Sequence, residues 1–308
     1  MRLSAIVPAT NRPPTLARCV AAITAAADVP DELIVVDEAP EPGPAGARNE
    51  GVRRATGDVL VFVDADVVPH ADAFTRIRAA FESDPELAAV FGSYDDNPPA
   101  PGAVAGFRNL LHHHVHQQGG GPQPTFWAGL GAVRREAFES AGGFDALRYP
   151  RPSIEDVELG TRLAAAGARL VLDPRLQGTH LKAWTLAEMV RTDFEARGVP
   201  WVELLLRGGA STTMLNLGWR HRLSALTCLV VVLGLLRRRP GTAAGGLVGL
   251  VALNAGFYAL LLRRRGAAEA TLGVGLHVLH HLTGIVSLPA GLLAHARGRD
   301  RPREAGGR

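Results

Sequence analysis

The 308-residue chain is 47 % hydrophobic and 20 % charged, with a mean hydropathy of +0.08. That excludes a disordered chain, whose signature is low hydrophobicity with high charge. The formal charge of +3 is unevenly divided: residues 1–200 carry 19 Lys+Arg against 26 Asp+Glu, and residues 201–308 carry 14 against 4. The basic part flanks apolar runs rather than aromatic stacking residues, so it suits an anionic lipid surface and not nucleic acid. Cys19 and Cys228 fall in different segments and can build neither a disulfide framework nor a thiolate metal site. The opening MRLSAIVPATNRPP has too short an apolar stretch for a signal peptide, and Pro8 interrupts it, so the N-terminal part is expected in the cytoplasm.

In chain order, Leu3–Val7 predicts a strand, and Pro13-Pro14 open a helix to about Ala27, proline being tolerated in a first turn. Glu32–Asp37 is a second strand, nearly continuous in Leu, Ile and Val, as expected of one buried on both faces. A helix over about Ala45–Ala55, a strand at Val59–Val63 and a helix near Ala71–Phe81 follow. This alternation argues for an open, mostly parallel sheet covered by helices, with ligands beyond the carboxyl ends of the strands. Polar residues gather there: Pro8–Arg12, Asp37-Glu38 and Asp64-Ala65-Asp66.

Beyond residue 205 the pattern changes. Leu223–Leu236, Gly245–Leu262 and Ala270–Ala296 are runs of 14, 18 and 27 residues without formal charge. At 1.5 Å per residue the second and third can span a hydrocarbon core of about 30 Å, and the first falls short. The distribution of arginines prefers an interfacial segment at 223–236 and spans at about 245–262 and 271–294, within a membrane-associated region 206–296. Residues 297–308 then form a basic cytoplasmic tail.

Asp64-Ala65-Asp66 follows the strand VLVFV. Two carboxylates at i and i+2 of a tight turn can converge on one divalent cation, Mg²⁺ or Mn²⁺, which can hold both phosphates of a nucleoside diphosphate. The segments AIVPATNRPPTLARCVAAI, ELIVVDEAPEPGPAGARNEGVRRATGDVLVFVDADVVP, FWAGLGAVRREAFESAGGFD and SIEDVELGTRLAAAGARL resemble successive blocks of the family 2 glycosyltransferases. They cover about residues 3–180. The Ala-, Gly- and Arg-rich composition fits a bacterial member with a GC-rich genome.

The resemblance implies a GT-A fold over residues 1–205, a mixed, mostly parallel sheet that binds a nucleotide-diphosphate sugar. It places Pro8, Ala9, Thr10, Arg12, Asp37, Arg48, Asn49, Asp64 and Ala65 against the donor, a UDP-sugar first and a GDP-sugar second. Many family members carry a second Asp where this chain has Glu38. By the same resemblance Asp64, Asp66 and His180 hold the metal. Asp156, in an acidic pair after the GGFD block, is the general base of an inverting displacement. Asp156 could alternatively pair with Ser153 in a capping box. The acceptor side comprises Trp127, whose ring can wall an acceptor, with Gly142, Gly143, Asp145 and Glu155. His112–His114 and His116 read as a polar helix or loop rather than a metal site.

The expected activity is transfer of a sugar to a hydroxyl of a lipid-linked or cell-envelope acceptor, at the cytoplasmic face of the inner membrane. The alternatives are a polyprenyl-phosphate glycosyl synthase, which needs no base, and a non-catalytic membrane scaffold. A processive polysaccharide synthase is disfavoured, because its Gln-x-x-Arg-Trp motif is missing after His180.

Overall fold

The computed structural model describes residues 1–208 and 218–299. Eight strands form one mixed sheet: β1 (Leu3–Pro8), β2 (Glu32–Val36), β3 (Val59–Val63), β4 (Val67–Pro69), β5 (Leu87–Tyr94), β6 (Gly121–Pro122), β7 (Leu130–Arg134) and β8 (Arg169–His180). Their order is β2-β1-β3-β7-β5-β8-β4, with β6 on the side of β8. β1, β2, β3, β5 and β8 run one way, and β7, β4 and β6 oppose them. The predicted β-α-β-α-β-α start is present, with α1 (Leu16–Thr24), α2 (Gly43–Arg54) and α3 (Ala73–Ser83) between the strands.

All five residues of β3 are buried, because helices cover both of its faces. On one face Phe62 packs in edge-on and tilted contacts with Phe126, Phe138 and Phe144, at centroid distances of 5.2–6.4 Å. Burying such a ring contributes about 2–3 kcal/mol. Helix α2 comes close to β1 because Gly51 has no side chain: a Cβ there would lie 2.3 Å from Ile6 Cγ2. This close approach lowers Arg48 onto the end of β3.

The antiparallel β7 between β3 and β5 decides how the site is built. The chain entering β7 passes the carboxyl end of β3, where Asp64 N donates to Gly129 O at 3.0 Å. At the far side β4 pairs with the end of β8, setting Val67 opposite His180, and Leu181 N donates to Asp66 O at 2.8 Å. The remaining helices of this unit are α4 (Ala103–Gln118), α5 (Arg135–Ser140), α6 (Glu155–Ala165) and α7 (Leu186–Arg191). A π-helical turn at Thr192–Gly198 then leads into α8 (Val199–Leu206).

The C-terminal region contains α9 (Trp219–Leu236), α10 (Pro240–Leu253) and α11 (Ala255–Arg299). The run 245–262, expected as one span, is divided at Asn254, whose amide donates to Ser224 Oγ of α9 at 2.9 Å. The segment expected to be interfacial lies within α9, which is long and apolar enough to cross a membrane, as is α11; α10, with 14 residues, is shorter. Helix α11 breaks at Gly266 (φ 81°, ψ 174°), which puts 271–294 in its second limb. One side of that limb docks on the first unit: His280 Nδ1 lies 2.7 Å from Asp193 Oδ2, and Gly291 abuts Val202. The other side, with that of α9, exposes Leu226, Leu233, Leu236, Leu272, Val286 and Leu292. Of the basic tail expected at 297–308, residues 300–308 lie outside the described residues.

Candidate active site

The strand ends bring together most of the residues singled out above. At the carboxyl ends of β1 and β2, Thr10, Asp37, Glu38, Glu41 and Gly43 line an open cleft of about 370 Å³. Ala9 is buried, and its N–H donates to Val36 O at 2.8 Å, which ties the β1 loop to β2. Arg12 follows in a tight turn with φ 45°, a conformation uncommon for a residue with a side chain. The turn holds Pro8, Thr10 and Arg12 at the edge of the sheet where Asp37 emerges.

Arg48 joins two carboxylates. Its Nη2 donates to Asp64 Oδ1 at 2.7 Å and its Nη1 to Glu155 Oε1 at 2.8 Å. Glu155 Oε2 accepts from Ser153 N at 2.9 Å. Glu155, expected on the acceptor side, is thus buried behind Arg48 with both oxygens engaged. Arg48, expected to face the donor, is itself 4 % exposed. Burial opposes its charge, but Asp64, Glu155 and Asp156 outweigh burial and raise its pKa. Asn49, also expected to face the donor, pairs with the backbone of Phe144: its amide donates to Phe144 O at 2.9 Å and accepts from Phe144 N at 3.0 Å. Together with Arg162, which donates to Gly143 O at 2.7 Å, it fixes the loop of Gly142 and Gly143, both at positive φ. Asp145 at the end of that loop accepts from Arg148 N.

Asp156 lies in the first turn of α6. Its Oδ2 accepts from Ala128 N at 3.0 Å and its Oδ1 from Val157 N at 2.8 Å. The capping-box alternative does not form, since Ser153 Oγ donates instead to Ala196 O at 2.8 Å. Burial, and then the charge of Glu155, push the Asp156 carboxyl up to about 6, against the opposing pull of Arg48. Burial likewise raises Asp64, with Arg48 pulling the other way. For Asp66 burial is outweighed by His180 and Lys182, which hold it below the usual range. Cys19, packed under this turn, is driven up to about 12 by burial and by Asp64 and Asp66, so its thiol is unreactive.

His180 Nε2 lies 3.3 Å from Asp66 Oδ2, and its Nδ1 lies 2.5 Å from Asn109 Oδ1. An amide oxygen only accepts, so Nδ1 carries a hydrogen; Nε2 donates to Asp66 when the ring is doubly protonated and presents a lone pair beside it when the ring is neutral. With the ring neutral, one oxygen of Asp66 and one nitrogen of His180 stand side by side, a donor pair that suits a divalent metal. Among the described residues no group of three or more His, Cys, Asp or Glu converges on one point. Asp64, the third expected ligand, is held by Arg48.

Sequence reasoning singled out Trp127 as an acceptor wall but missed the rings packed around it beside this pair. Tyr94 stacks on His180 at 4.1 Å and meets Trp127 edge-on at 4.9 Å. His112 and His116, one turn apart on α4, stack at 3.9 Å beside Trp127. Their i,i+4 spacing was legible in the sequence; the partners that bury them were not. Neither was the buried ion pair of Arg108 Nη2 with Asp193 Oδ1 at 2.7 Å.

The sheet order, with an antiparallel strand inserted beside an Asp-x-Asp turn and an open cleft next to it, is that of a GT-A glycosyltransferase fold. The mannosyltransferase PcManGT from Pyrobaculum calidifontis, solved in complex with GDP-Man and Mn²⁺, has this fold: it superposes with a TM-score of 0.52 over 97 % of this chain and 88 % of its own, at 19 % identity. Residues 38–142 match the profile of Glycosyl transferase family 2. The Pre-mycofactocin glycosyltransferase of Mycobacterium tuberculosis, found in two strains, is 32 % identical over 140 residues. That match takes in 43 % of this chain and spans 28 % of the relative's length.

Proposed function

We propose that the protein is an inverting glycosyltransferase. It moves a sugar from a nucleotide-diphosphate donor to a hydroxyl of a lipid-linked or cell-envelope acceptor at the cytoplasmic face of the inner membrane. The observation that carries this reading is Asp156: a carboxyl raised to about 6, held by two backbone N–H groups at the strand ends that also present Asp64 and Asp66. Such a group is ionised at neutral pH and basic enough to take a proton. The acceptor oxygen bonds to the anomeric carbon as the bond from that carbon to the diphosphate breaks, and the hydroxyl proton goes to Asp156. The nucleoside diphosphate leaves with the electron pair.

The cleft of Thr10, Asp37 and Glu38 suits the nucleoside, as the resemblance implied for Pro8, Ala9, Thr10, Arg12 and Asp37. GDP-Man in the Pyrobaculum enzyme supports a nucleotide-sugar donor and Mn²⁺ a divalent cation. Asp66 and His180 would hold that cation, and a bound cation supplies positive charge for a leaving diphosphate. Asp64 and Ala65 then flank the donor, with Arg48 and Asn49 acting behind them: Arg48 positions Asp64, and Asn49 fixes the Gly142–Asp145 loop on the acceptor side next to Trp127. His180→Ala is expected to remove Mn²⁺ binding, read by loss of paramagnetic broadening, while the sheet's circular dichroism stays unchanged. Retained Mn²⁺ binding would take His180 out of the metal site.

Transfer straight onto a lipid phosphate is the second reading, favoured by Arg108 and Arg197, which line one cavity with His180; it needs no base, so the two readings differ in their dependence on Asp156.

The apolar outer sides of α9 and α11 support membrane attachment. Since α11 docks on α4 and on α8 along much of its length, the helices suit a platform lying in the interface on one side of the bilayer. A cysteine introduced at Arg238, in the α9–α10 turn, is then expected to react with an impermeant maleimide from the side of the catalytic unit in oriented vesicles. Reaction only from the opposite side would establish that α9 crosses.

A further inference from the structure

Residues 204–268 carry nine arginines and no aspartate or glutamate. The fold supplies partners to most of them. Arg207 pairs with Glu203, Arg264 with Asp96 and Arg265 with Glu269, and Arg220 donates to the Gln118 side chain. Arg222 lies over the Trp219 ring at 5.1 Å. Arg237, Arg238 and Arg239, in the turn between α9 and α10, are different. All three are exposed, and their side chains make no hydrogen bond or ion pair with any described residue. Arg263 is also exposed and unpaired among the described residues, but it stands beside two arginines that are already engaged.

The turn holds these three charges in place. Arg237 N donates to Leu233 O at 3.0 Å, Arg238 N to Leu235 O at 3.0 Å and Arg239 N to Gly234 O at 2.7 Å, and Pro240 then opens α10. Arg238 has φ 54°, in the left-handed region where glycine is the usual residue after a helix. A long cationic side chain is kept there against the preference of its backbone, and such an outlier points to use. The last turn of α9 is apolar and open: Leu233, Leu235 and Leu236 are 47 %, 64 % and 74 % exposed. They cannot fold inward, because α10 lies directly against α9. A Cβ on Gly234 would sit 2.5 Å from Ala243 N, and one on Gly246 would sit 2.8 Å from Val231 Cγ2. Fixed cations therefore stand next to exposed leucines, with no carboxylate nearby in the chain.

A nucleic acid would meet the charges and leave the leucines in water. The boundary between headgroups and acyl chains takes both, since leucines enter the apolar layer while arginine stems reach back to the phosphates. A zwitterionic headgroup brings its own cation, whereas an anionic one offers uncompensated negative charge. We propose that Arg237, Arg238 and Arg239, with Leu235 and Leu236, form a binding surface for anionic phospholipid headgroups. The inference rests on the membrane attachment read above and names the lipid that attachment selects.

The test uses the full chain with a dye on Thr242→Cys, an exposed position just past the turn; Cys19 and Cys228 are both buried. The protein is reconstituted in phosphatidylcholine vesicles holding a small share of nitroxide-labelled phosphatidylglycerol or nitroxide-labelled phosphatidylcholine. Phosphatidylglycerol should quench the dye at a mole fraction lower by about fivefold or more, the equivalent of one arginine at a charged surface. The preference should vanish near 1 M salt, where the screening length is about 3 Å. Replacing Arg237, Arg238 and Arg239 together by Gln should make the two lipids equal and leave quenching by phosphatidylcholine in place. Arg238→Gly, which suits φ 54° and so keeps the turn, should by itself reduce the preference. Arg263→Gln should retain it. Equal quenching by the two lipids in the wild type, a preference that survives the triple substitution, or one lost equally in Arg263→Gln would overturn the proposal. Quenching by neither lipid would instead remove the α9–α10 turn from the bilayer and so overturn the membrane attachment on which the proposal rests.

Discussion

Asp156→Asn is expected to lower the turnover number by about 10²–10⁴-fold, the usual contribution of a positioned general base. Donor binding should be unchanged, because the substitution leaves the Thr10–Asp37 cleft untouched. Stability should change little, for two opposing reasons. Both oxygens of Asp156 accept backbone N–H groups, and an amide can accept only one of them, a loss of about 1 kcal/mol. Against that, the ionised carboxyl is disfavoured in the folded state. Its pKa rises from 3.8 unfolded to about 6 folded, so the native form holds its proton longer. The contribution of this group to stability therefore falls as pH rises between those values, and a neutral amide removes the penalty at pH 7. The same shift sets the pH dependence of the wild type. Activity should rise with pH through about 6 and then level, as the base becomes ionised. Measured release of nucleoside diphosphate against pH, with the Asn variant alongside, decides the matter. A variant that turns over like the wild type would move the assignment to transfer onto a lipid phosphate, where no proton needs to be removed.

Arg48→Gln is expected to cost about 3 kcal/mol of stability, since it strands one fully buried carboxylate and one partly buried one. The guanidinium spans Asp64 and Glu155 with separate nitrogens, a geometry that a single ammonium cannot copy, so Arg48→Lys should recover only part of the loss. Thermal unfolding of the three proteins is the measurement. Arg48→Gln unfolding at the wild-type temperature would show that water or movement of α2 relieves the stranded charges. The substitution should also weaken the donor site, because Arg48 is what fixes Asp64 Oδ1 at the end of β3.

Local pattern was enough for the outer frame of this protein. The alternation of apolar runs and amphipathic segments through Phe81 placed β1 to β3 and α1 to α3 within a few residues, because period and end signals are carried by neighbours in the chain. The Asp-x-Asp turn and the acidic pair were likewise visible, each being a short word at a strand or helix end. The side chains that those words meet were not. Arg48 was visible as a motif residue, yet nothing near it in sequence indicated that its two ends would be taken by Asp64 and Glu155. The C-terminal apolar runs were visible too, while the interruption at Asn254 and the docking of α11 on Asp193 depend on partners from other helices.

What the sequence by itself determined is the fold class, the strand-end position of the candidate site and the basic, apolar character of the C-terminal third. Tertiary structure alone decided that β7 enters between β3 and β5, that β4 returns to set His180 beside Asp66, and that a cavity lined by Arg108 and Arg197 opens between His180 and helices α8, α9 and α11. The physical reason is that hydrophobic period and turn chemistry are local. Ion pairs, stacked rings and cavities are made between residues whose proximity is set only when strand order and helix docking close the chain on itself.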